Sequence, residues 1–346
     1  MNPGCYTALV TPFTQDGASL DKEGLEKLVE FQIDGGITGI LAVGTTGESP
    51  TLEWEEHNAV VDGIARRTRN RCMCIAGTGS NNTQEALEAT RHAARQGVQA
   101  ILLVDPYYNG PSSIEIRREY VAPIARRFPE LTFIPYIIPG RTGTQLLPED
   151  LAMVYRDHPN VSAVKEATAD LDNMRRTRTC CGPDFVILSG DDAMTHDMVT
   201  DPGIMAAGVI SVVSNIVPGP TTRMVKLLVA GDHAGAVPLL KALEPLFDLV
   251  TVKTQERTPF GEVVCRARNP LGIKTLMRIL GMPSGPSRRP MGKMTRAGLD
   301  KVLAIARKVW TETPEILQPI GDFFDVDISE RLNDPRYQEG LVYSEY

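Results

Sequence analysis

The sequence predicts an α/β protein, a closed (β/α)8 barrel of the TIM type with an appended C-terminal helical region. Short apolar, β-branched runs alternate with longer amphipathic segments, and eight such units follow one another. Continuous apolar strands joined by helices indicate parallel pairing with right-handed crossovers, and eight units favour closure. The competing fold, an open doubly wound sheet, would be expected to have a glycine-rich dinucleotide-binding loop after its first strand. Residues 11–20 do not provide such a loop.

The predicted strands are runs rich in Val, Ile, Leu and Ala, a composition typical of strands that are buried on both faces. They cover residues 7–11, 39–43, 72–76, 100–104, 131–136, 161–165, 185–188 and 208–212. The first helix is predicted where Leu25, Leu28, Val29 and Ile33 recur at helical spacing before Gly35-Gly36 ends the pattern. The predicted helices cover 21–34, 53–69, 83–96, 112–128, a segment beginning at 148, 170–179 and 193–200.

The eighth unit ends near Gly231, which predicts a catalytic barrel over residues 1–231. Helical patterns at 234–250, 270–280 and 295–311 predict a C-terminal helical domain over residues 232–312. Residues 313–346 form a C-terminal extension to which the sequence assigns no role. Its acidic and aromatic stretch at 322–325 is expected to lie on the surface or on a neighbouring subunit.

Charge and composition limit the partners that the chain is expected to have. The balance of 36 Lys+Arg against 43 Asp+Glu gives a net charge of -7, which argues against nucleic acid and anionic membranes. No run approaches the roughly 20 apolar residues that span a bilayer, so a cytoplasmic protein is expected. The cysteines are predicted to be reduced thiols rather than disulfides; they are Cys5, Cys72, Cys74, Cys180, Cys181 and Cys265.

Lys165 is the first candidate for chemistry, because it stands at the end of the short apolar strand at 161–165. Burial would lower the pKa of its ammonium group and make the neutral, nucleophilic amine accessible near neutral pH. The alternative is an ordinary lysine that reaches solvent or pairs with Glu166.

Other polar residues follow the neighbouring strands, and the active site of such a barrel lies at these strand ends. The Gly44-Thr45-Thr46-Gly47 turn offers donors for a carboxylate, although such turns are often simple connections. Tyr136 could carry a proton or be structural, and Arg141 could clamp a carboxylate or form a surface ion pair. Asp191-Asp192 is an acidic pair of the kind that can hold a metal, but no histidine motif accompanies it, so no metal is predicted.

Several motifs resemble those of the dihydrodipicolinate synthases in order and spacing, over roughly residues 4–312. They are Gly44-Thr45-Thr46-Gly47-Glu48, Pro106-Tyr107-Tyr108-Asn109, Tyr136-x-x-Pro-x-Arg141-Thr-Gly, Val164-Lys165-Glu166-Ala167, Ser189-Gly190-Asp191-Asp192 and Gly208-Val209-Ile210-Ser211. The resemblance implies a pyruvate-dependent class I aldolase, built as a barrel plus a helical C-terminal region, that forms a homotetramer and uses no cofactor.

The resemblance also implies roles for individual residues. Lys165 would form a Schiff base with pyruvate, whose carboxylate Thr45 and Thr46 would hold. Tyr136, Thr45 and Tyr108 would relay protons, with Tyr108 reaching into the neighbouring subunit's site. Arg141 would bind the carboxylate of L-aspartate 4-semialdehyde. The backbone around Gly190 and Ile210 would line the pocket.

The resemblance leaves two alternatives to this activity. Relatives that cleave N-acetylneuraminate or sugar-acid aldols share the lysine and tyrosine but generally lack the Arg-Thr-Gly signature, so another 2-keto acid aldolase or dehydratase is the first alternative. The remote alternative is a non-catalytic, lysine-binding barrel. The intact set of Lys165, Tyr136, Thr45 and Tyr108 counts against it, because binding alone needs no proton relay.

A feedback site for lysine is a further implication of the resemblance. The residues that fall where family members bind the inhibitor are Ser49, Trp54, His57, Asn81, Glu85 and Tyr107. A Trp at that position resembles the plant enzymes. Glu85 could meet the ammonium group of lysine or be an exposed helix residue.

The chain departs from the family pattern in three places. Ile137 and Ile138 follow Tyr136 where the family commonly has Asn and then an apolar residue, which could alter the choice of second substrate. The segment between Pro245 and Asn269 is longer than the pattern requires. Together with the extension after residue 312, this insertion could alter subunit packing.

Overall fold

A computed structural model describes residues 1–345 of the chain. Its centre is a closed parallel barrel of strands β1 to β8 in sequence order, and β1 pairs with β8 to close it. The strands are Gly4–Ala8, Gly39–Ala42, Met73–Gly77, Ala100–Val104, Thr132–Ile137, Ala163–Glu166, Val186–Ser189 and Gly208–Ser211. The predicted (β/α)8 barrel is therefore confirmed.

Helices follow the strands around the outside of the barrel. Their bounds are Lys22–Asp34, Trp54–Thr68, Thr83–Arg95, the consecutive segments Ser113–Glu115, Ile116–Val121 and Ala122–Arg127, then Pro139–Thr142, Pro148–Asp157, Leu171–Cys181, Thr195–Thr200 and Pro218–Val229. Short 3-10 turns cover Ser49–Thr51 and Val213–Asn215. Asp21 and Asp170 cap two of these helices by accepting hydrogen bonds from backbone N–H groups of the first turn.

The first strand begins earlier than predicted. The sequence predicts residues 7–11, whereas β1 is Gly4–Ala8. Gly4 pairs with Gly208 and Tyr6 with Ile210, so the closing seam of the barrel needs the earlier residues. Residues 9–11 leave the barrel toward Pro12; their apolar side chains are buried under neighbouring elements, which is why they resemble a strand.

The barrel has two apolar layers. The interior is filled by inward side chains of alternate strand positions, which include Tyr6, Leu41, Ile134 and Ile210. A larger layer fills the space between the strands and the surrounding helices. Tyr136 and Leu188 belong to the interior layer and flank Lys165 in the strand register. The lysine therefore stands at the upper end of a packed core.

The C-terminal region contains helices at His233–Phe247, Leu271–Ile279 and Arg296–Glu312, with a 3-10 turn at Asp248–Val250. The helical patterns predicted for this region correspond to these three helices. Between the first two, residues form an antiparallel hairpin of strands β9, Thr251–Thr258, and β10, Gly261–Arg268, which the sequence analysis did not predict. Strand β9 is almost entirely polar or charged, and β10 shows only a weak alternation in which Val263, Cys265 and Ala267 are half-buried between exposed residues.

The C-terminal extension packs on the barrel's own helices. It comprises Pro314–Ile316, Gln318–Phe324, Ile328–Asn333 and Pro335–Gln338. The rings of Phe323 and Phe324 each lie 5.2 Å from that of Phe31, on the first helix of the barrel, measured between centroids. The end of the extension is tied to the C-terminal region instead, where Met294 N–H donates to Leu341 O and Tyr343 N–H donates to Met294 O. No helix within residues 1–345 is long and apolar enough to cross a membrane.

Candidate active site

Lys165 lies at the end of β6 with 3% of its surface exposed. Its Nζ atom is 4.3 Å from the centroid of the Tyr136 ring, and the two residues are register partners on β5 and β6. Gly190 lies against the lysine stem, since a Cβ atom there would stand 3.2 Å from Lys165 Cε and 2.8 Å from Ala167 Cβ. A larger residue at position 190 would therefore displace the lysine side chain.

Burial lowers the pKa of Lys165 to about 7, and the positive charge of Arg141 adds to this effect. The negative charge of Asp192 opposes it. The Asp192 carboxylate is bound by other donors, because it accepts hydrogen bonds from Val212 N–H at 2.9 Å and from the Ser211 hydroxyl. A substantial fraction of Lys165 is consequently a neutral amine at neutral pH.

The alternative in which Lys165 pairs with Glu166 is wrong. The Glu166 carboxylate accepts hydrogen bonds from Thr168 N–H at 2.8 Å and from Asn173 Nδ2 at 3.1 Å. Because successive residues of a strand point to opposite faces, Lys165 points into the barrel and Glu166 into the layer beneath the helices.

A cavity of about 220 Å³ opens beside these strand ends. Thr45, Tyr136 and Arg141 line it together with Tyr107. Its remaining lining residues are mostly apolar or small and are Val43, Gly44, Ser49, Pro50, Gly77, Gly79, Leu102, Val104, Ile138 and Thr142. The volume suits small organic acids, and Tyr136, whose ring centroid lies 4.3 Å from Lys165 Nζ, is the lining residue that joins the cavity to the lysine.

Tyr136 is a buried tyrosine whose ring faces the Lys165 amine. Burial raises its pKa to about 12, while the positive charge of Arg141 and an interaction with the Thr45 side chain lower it. Tyr136 is therefore a neutral phenol at working pH, able to donate its proton and accept another.

The Thr45-Thr46 turn is held rigidly. Thr46 is buried, and its hydroxyl accepts a hydrogen bond from Asn269 Nδ2 at 3.0 Å, which leaves its own proton free to donate. The Thr11 hydroxyl donates to Gly47 O at 2.7 Å. A Cβ atom at Gly47 would stand only 3.0 Å from the Val43 backbone, so the tight approach requires glycine.

Glu48 and Lys274 form a buried ion pair that the sequence analysis missed. The distance between Lys274 Nζ and Glu48 Oε1 is 2.6 Å, and Nζ also donates to the backbone carbonyls of Thr11 at 3.0 Å and Pro286 at 3.2 Å. All three ammonium donors are thus satisfied. Both residues stand in stretches that the sequence analysis singled out, but their separation of 226 positions hides the contact.

Arg141 stands in the short helix Pro139–Thr142 at the mouth of the cavity. Its side chain is exposed there, and its Nη2 donates to Asn269 O at 3.4 Å. Burial of its protein-facing side lowers the pKa of the guanidinium. The alternative of a surface ion pair does not fit, because within the described residues Arg141 contacts a backbone carbonyl and no carboxylate.

The lining of the cavity includes the predicted residues Thr45, Tyr136 and Arg141, but not Lys165, Thr46, Tyr108, Gly190 or Ile210. Ile210 is buried in the barrel interior next to Tyr6. Tyr108 is 93% exposed and has a positive φ of 78°. Its expected role in a neighbouring subunit's site stays a prediction.

A second cavity, of about 250 Å³, adjoins the first. All residues predicted for a lysine site line it, namely Ser49, Trp54, His57, Asn81, Glu85 and Tyr107. His57 Nε2 lies 2.9 Å from Gly77 O, and the Ser80 hydroxyl donates to the Glu85 carboxylate at 2.5 Å. Ser49, Pro50, Gly79 and Tyr107 line both cavities, so the two are neighbours across a single wall.

Asp191 and Asp192 do not form a metal site with other residues of the described chain, where no group of three or more His, Cys, Asp or Glu is placed to hold an ion. Asp192 instead anchors the loop after β8 through the Val212 and Val213 N–H groups. The second aspartate of the Asp191-Asp192 pair therefore serves to hold this loop in place.

A buried amine at a barrel strand end, next to a phenol and a hydroxyl turn, defines a lyase of the class I aldolase type, which works through a lysine Schiff base. Comparison with known proteins places this chain more narrowly. The model of the dihydrodipicolinate synthetase family matches residues 1–309, and the chain belongs to that family.

Relatives and solved structures agree with this assignment. The chain is 38% identical over 306 residues to a protein of Sulfurihydrogenibium sp. named 4-hydroxy-tetrahydrodipicolinate synthase, which covers 88% of this chain and 97% of the relative. The structure of the synthase of Methylacidiphilum fumariolicum SolV superposes with a TM-score of 0.81 at 33% identity, covering 93% of this chain and 99% of the other. A dihydrodipicolinate synthase of Cyanidioschyzon merolae with lysine bound gives a TM-score of 0.79 at 33% identity, covering 89% and 97%.

Proposed function

We propose that the protein condenses pyruvate with L-aspartate 4-semialdehyde to give 4-hydroxy-tetrahydrodipicolinate, a step of lysine and diaminopimelate biosynthesis. The observation that carries the proposal is the buried Lys165 amine, which has a pKa of about 7 and lies 4.3 Å from the ring of Tyr136. Tyr136 in turn lines a cavity together with Thr45 and Arg141. Family membership and the names of the relatives support it.

The reaction begins when the neutral Lys165 amine attacks the ketone carbon of pyruvate. Proton transfers through Tyr136 and Thr45 release water and leave a protonated imine, with the pyruvate carboxylate at the Thr45-Thr46 turn. The imine acidifies the methyl group, and loss of a proton gives an enamine. This enamine attacks the aldehyde carbon of the second substrate, whose carboxylate Arg141 binds.

Ring closure then frees the enzyme. Addition to the aldehyde forms a carbon–carbon bond, restores the imine and leaves the aldehyde oxygen as a hydroxyl group once it has taken up a proton. The amino group of this adduct attacks the imine carbon and displaces the Lys165 amine, so that one carbon–nitrogen bond forms as another breaks. Tyr136 is placed to move the protons of this exchange because its phenol stays neutral, with a pKa of about 12. The lysine returns to its starting state without any external reductant or oxidant.

The test is a coupled assay with pyruvate and L-aspartate 4-semialdehyde, together with borohydride reduction in the presence of pyruvate. A pyruvyl adduct on Lys165, found by peptide mass spectrometry, is expected in the wild type and not in Lys165→Ala. Folded protein without the adduct would contradict the Schiff-base step. Turnover of 2-keto-3-deoxy sugar acids in place of the semialdehyde would favour the alternative aldolase activity.

Arg141 is the residue whose replacement separates the two substrates. For Arg141→Ala we expect the KM for the semialdehyde to rise by about tenfold to a hundredfold, because a charge-assisted bidentate contact is lost. The KM for pyruvate should change little. Unchanged semialdehyde kinetics would contradict the assigned role.

Lysine is the ligand that we propose for the second cavity. The Glu85 carboxylate and the buried His57 beside Trp54 offer a charge and an aromatic wall suited to an amino acid with a cationic side chain. Inhibition by lysine in the coupled assay, weakened by Glu85→Ala with kcat retained in its absence, is the expected result. Absence of both lysine inhibition and lysine binding by calorimetry would contradict it.

We further propose a homotetramer, a dimer of dimers, in which Tyr108 completes the neighbouring subunit's proton relay. The nearly complete exposure of this tyrosine in the isolated chain, on a backbone with positive φ, supports a role outside its own subunit. A cytoplasmic location is also proposed, because all six cysteines are free thiols.

A further inference from the structure

The hairpin β9–β10 returns the chain to the mouth of the active site. Arg268 is its last residue and directly precedes Asn269, whose side chain contacts Thr46. Arg268 Nη1 donates to Gly140 O at 3.4 Å, while Arg141 Nη2 donates to Asn269 O at 3.4 Å. The side chain of Arg268 therefore contacts the residue before Arg141, and the side chain of Arg141 contacts the residue after Arg268.

These two guanidinium groups form a local concentration of positive charge. The like charge of Arg268 contributes to lowering the pKa of Arg141, so the groups are within electrostatic reach of each other. Within residues 1–345 neither group lies in an ion pair with a carboxylate; their protein acceptors are backbone carbonyls. Such a pair at the opening of an enclosed cavity raises the local concentration of anions.

We propose that Arg268 is a specificity-determining residue for the second substrate, forming with Arg141 a cationic pair that captures the carboxylate of the incoming aldehyde. This inference rests on the proposed function. Arg141 lines the cavity and holds the carboxylate during the reaction, whereas Arg268, which lies outside the lining, receives it first. The pair selects aldehydes that carry a carboxylate over neutral polyhydroxy aldehydes of similar size.

A purely structural role explains Arg268 less well. Its side chain is exposed, and its contact with Gly140 O is at the long end of the hydrogen-bond range, so the contact adds little stability. A neutral glutamine could make the same kind of contact. What Arg268 contributes to the site beyond this contact is its positive charge.

The experiment compares Arg268→Lys, Arg268→Gln and Arg268→Glu with the wild type in steady-state assays at saturating pyruvate. The matched control is Arg257→Gln, which removes the same charge from β9 of the same hairpin, six residues from the register partner of Arg268 and so about 20 Å along the strand. The KM for pyruvate and the rate of borohydride trapping with pyruvate report on the rest of the site.

For Arg268→Gln we expect the KM for L-aspartate 4-semialdehyde to rise about threefold to tenfold, with a larger rise for Arg268→Glu and a smaller one for Arg268→Lys. Succinate semialdehyde, which has the carboxylate but no amine, should lose affinity to the same degree. The decrease of kcat/KM with added salt should be shallower in Arg268→Gln, while trapping and the KM for pyruvate stay unchanged.

The proposal is overturned if Arg268→Gln leaves the semialdehyde KM unchanged, if Arg257→Gln raises it equally, or if the pyruvate KM rises in parallel. A failure of the proposed function is seen separately, because the wild type would then form the pyruvate adduct yet not turn over the semialdehyde. That result would overturn both proposals before any variant is made.

Discussion

The reactivity of Lys165 follows from where its charge is placed. The ammonium group loses hydration at the end of β6, and the carboxylate of Asp192, whose charge opposes this effect, is already bound by the loop after β8. Desolvation therefore outweighs attraction, and the amine is neutral in a large fraction of molecules at neutral pH. The chemistry of the family and the burial of this side chain both identify Lys165 Nζ as the reactive atom.

This pKa predicts the pH dependence of imine formation. The trapping rate with pyruvate and cyanoborohydride should rise as the neutral fraction of Lys165 grows, with a midpoint near pH 7, and should level off above about pH 8. Lys165→Arg is the control and should give no adduct. A rate that keeps rising tenfold per pH unit to pH 10 would show an ordinary lysine.

Asp105 has a raised pKa without a catalytic role. Its carboxyl group is buried at the end of β4, where Leu146 N–H donates to Oδ2 at 3.0 Å and Oδ1 has no hydrogen-bond partner within residues 1–345. Burial raises its pKa to about 7, and the negative charge of Glu166 adds to the effect. The folded protein therefore holds a proton that the unfolded chain releases near pH 4.

Because the folded state binds the extra proton between about pH 4 and pH 7, the free energy of unfolding should fall as the pH rises through this window. The free energy of unfolding should fall by at most about 4 kcal/mol across this window, and the contribution of Asp105 should not change further at higher pH. Asp105→Asn should remove most of this slope, as measured by urea unfolding at pH 5 and pH 8. The exposed Asp184→Asn is the control, and equal slopes in both variants would contradict the assignment.

At the scale of elements, the turn after β2 depends on a helix far away in sequence. Lys274, in the helix Leu271–Ile279, neutralises Glu48 and binds the carbonyl of Thr11, so three segments meet at one ammonium group. Asn269 adds its contact with Thr46 from the same segment. The C-terminal region thereby fixes the hydroxyl turn on which the pyruvate carboxylate is expected to lie.

Lys274→Met should lower the free energy of unfolding by about 3–5 kcal/mol, because it leaves the buried Glu48 carboxylate without its partner. Adding Glu48→Gln should restore part of the loss, since Gln keeps an acceptor for Arg288 N–H. Denaturant unfolding measures both variants. A double variant less stable than Lys274→Met alone would contradict the charge explanation.

Periodicity predicted the barrel because each strand is apolar on both faces and each crossover helix has one apolar side. The same signal placed Lys165, Tyr136 and Arg141 at strand ends, and the structure brings these three together. The periodicity did not predict the hairpin β9–β10, because most of its side chains are partly or fully exposed to solvent. It also did not predict the Glu48–Lys274 ion pair, whose partners are 226 positions apart in the sequence. A polar contact between residues far apart in the sequence produces no periodic pattern from which it could be predicted.

For the whole molecule, the exposed Tyr108 leads to a test of subunit exchange. Tyr108→Phe and Lys165→Ala should each have little activity alone, yet co-expression should recover activity. In a mixed dimer, the site with the intact lysine receives Tyr108 from the Lys165→Ala subunit. Separately purified proteins mixed without exchange serve as the control, and co-expressed variants with no recovered activity would place the tyrosine in its own subunit's site.

The ion pair between Glu48 and Lys274 also orders events during synthesis. Strands β1 to β8 have all left the ribosome once residue 211 has emerged, so the barrel can close early. The turn of Thr45 and Thr46 must wait for Asn269 and Lys274, and for the stretch around Pro286 that accepts the third ammonium hydrogen bond. A nascent chain thus has all the strands of its barrel before it has the residues that hold the Thr45-Thr46 turn in place.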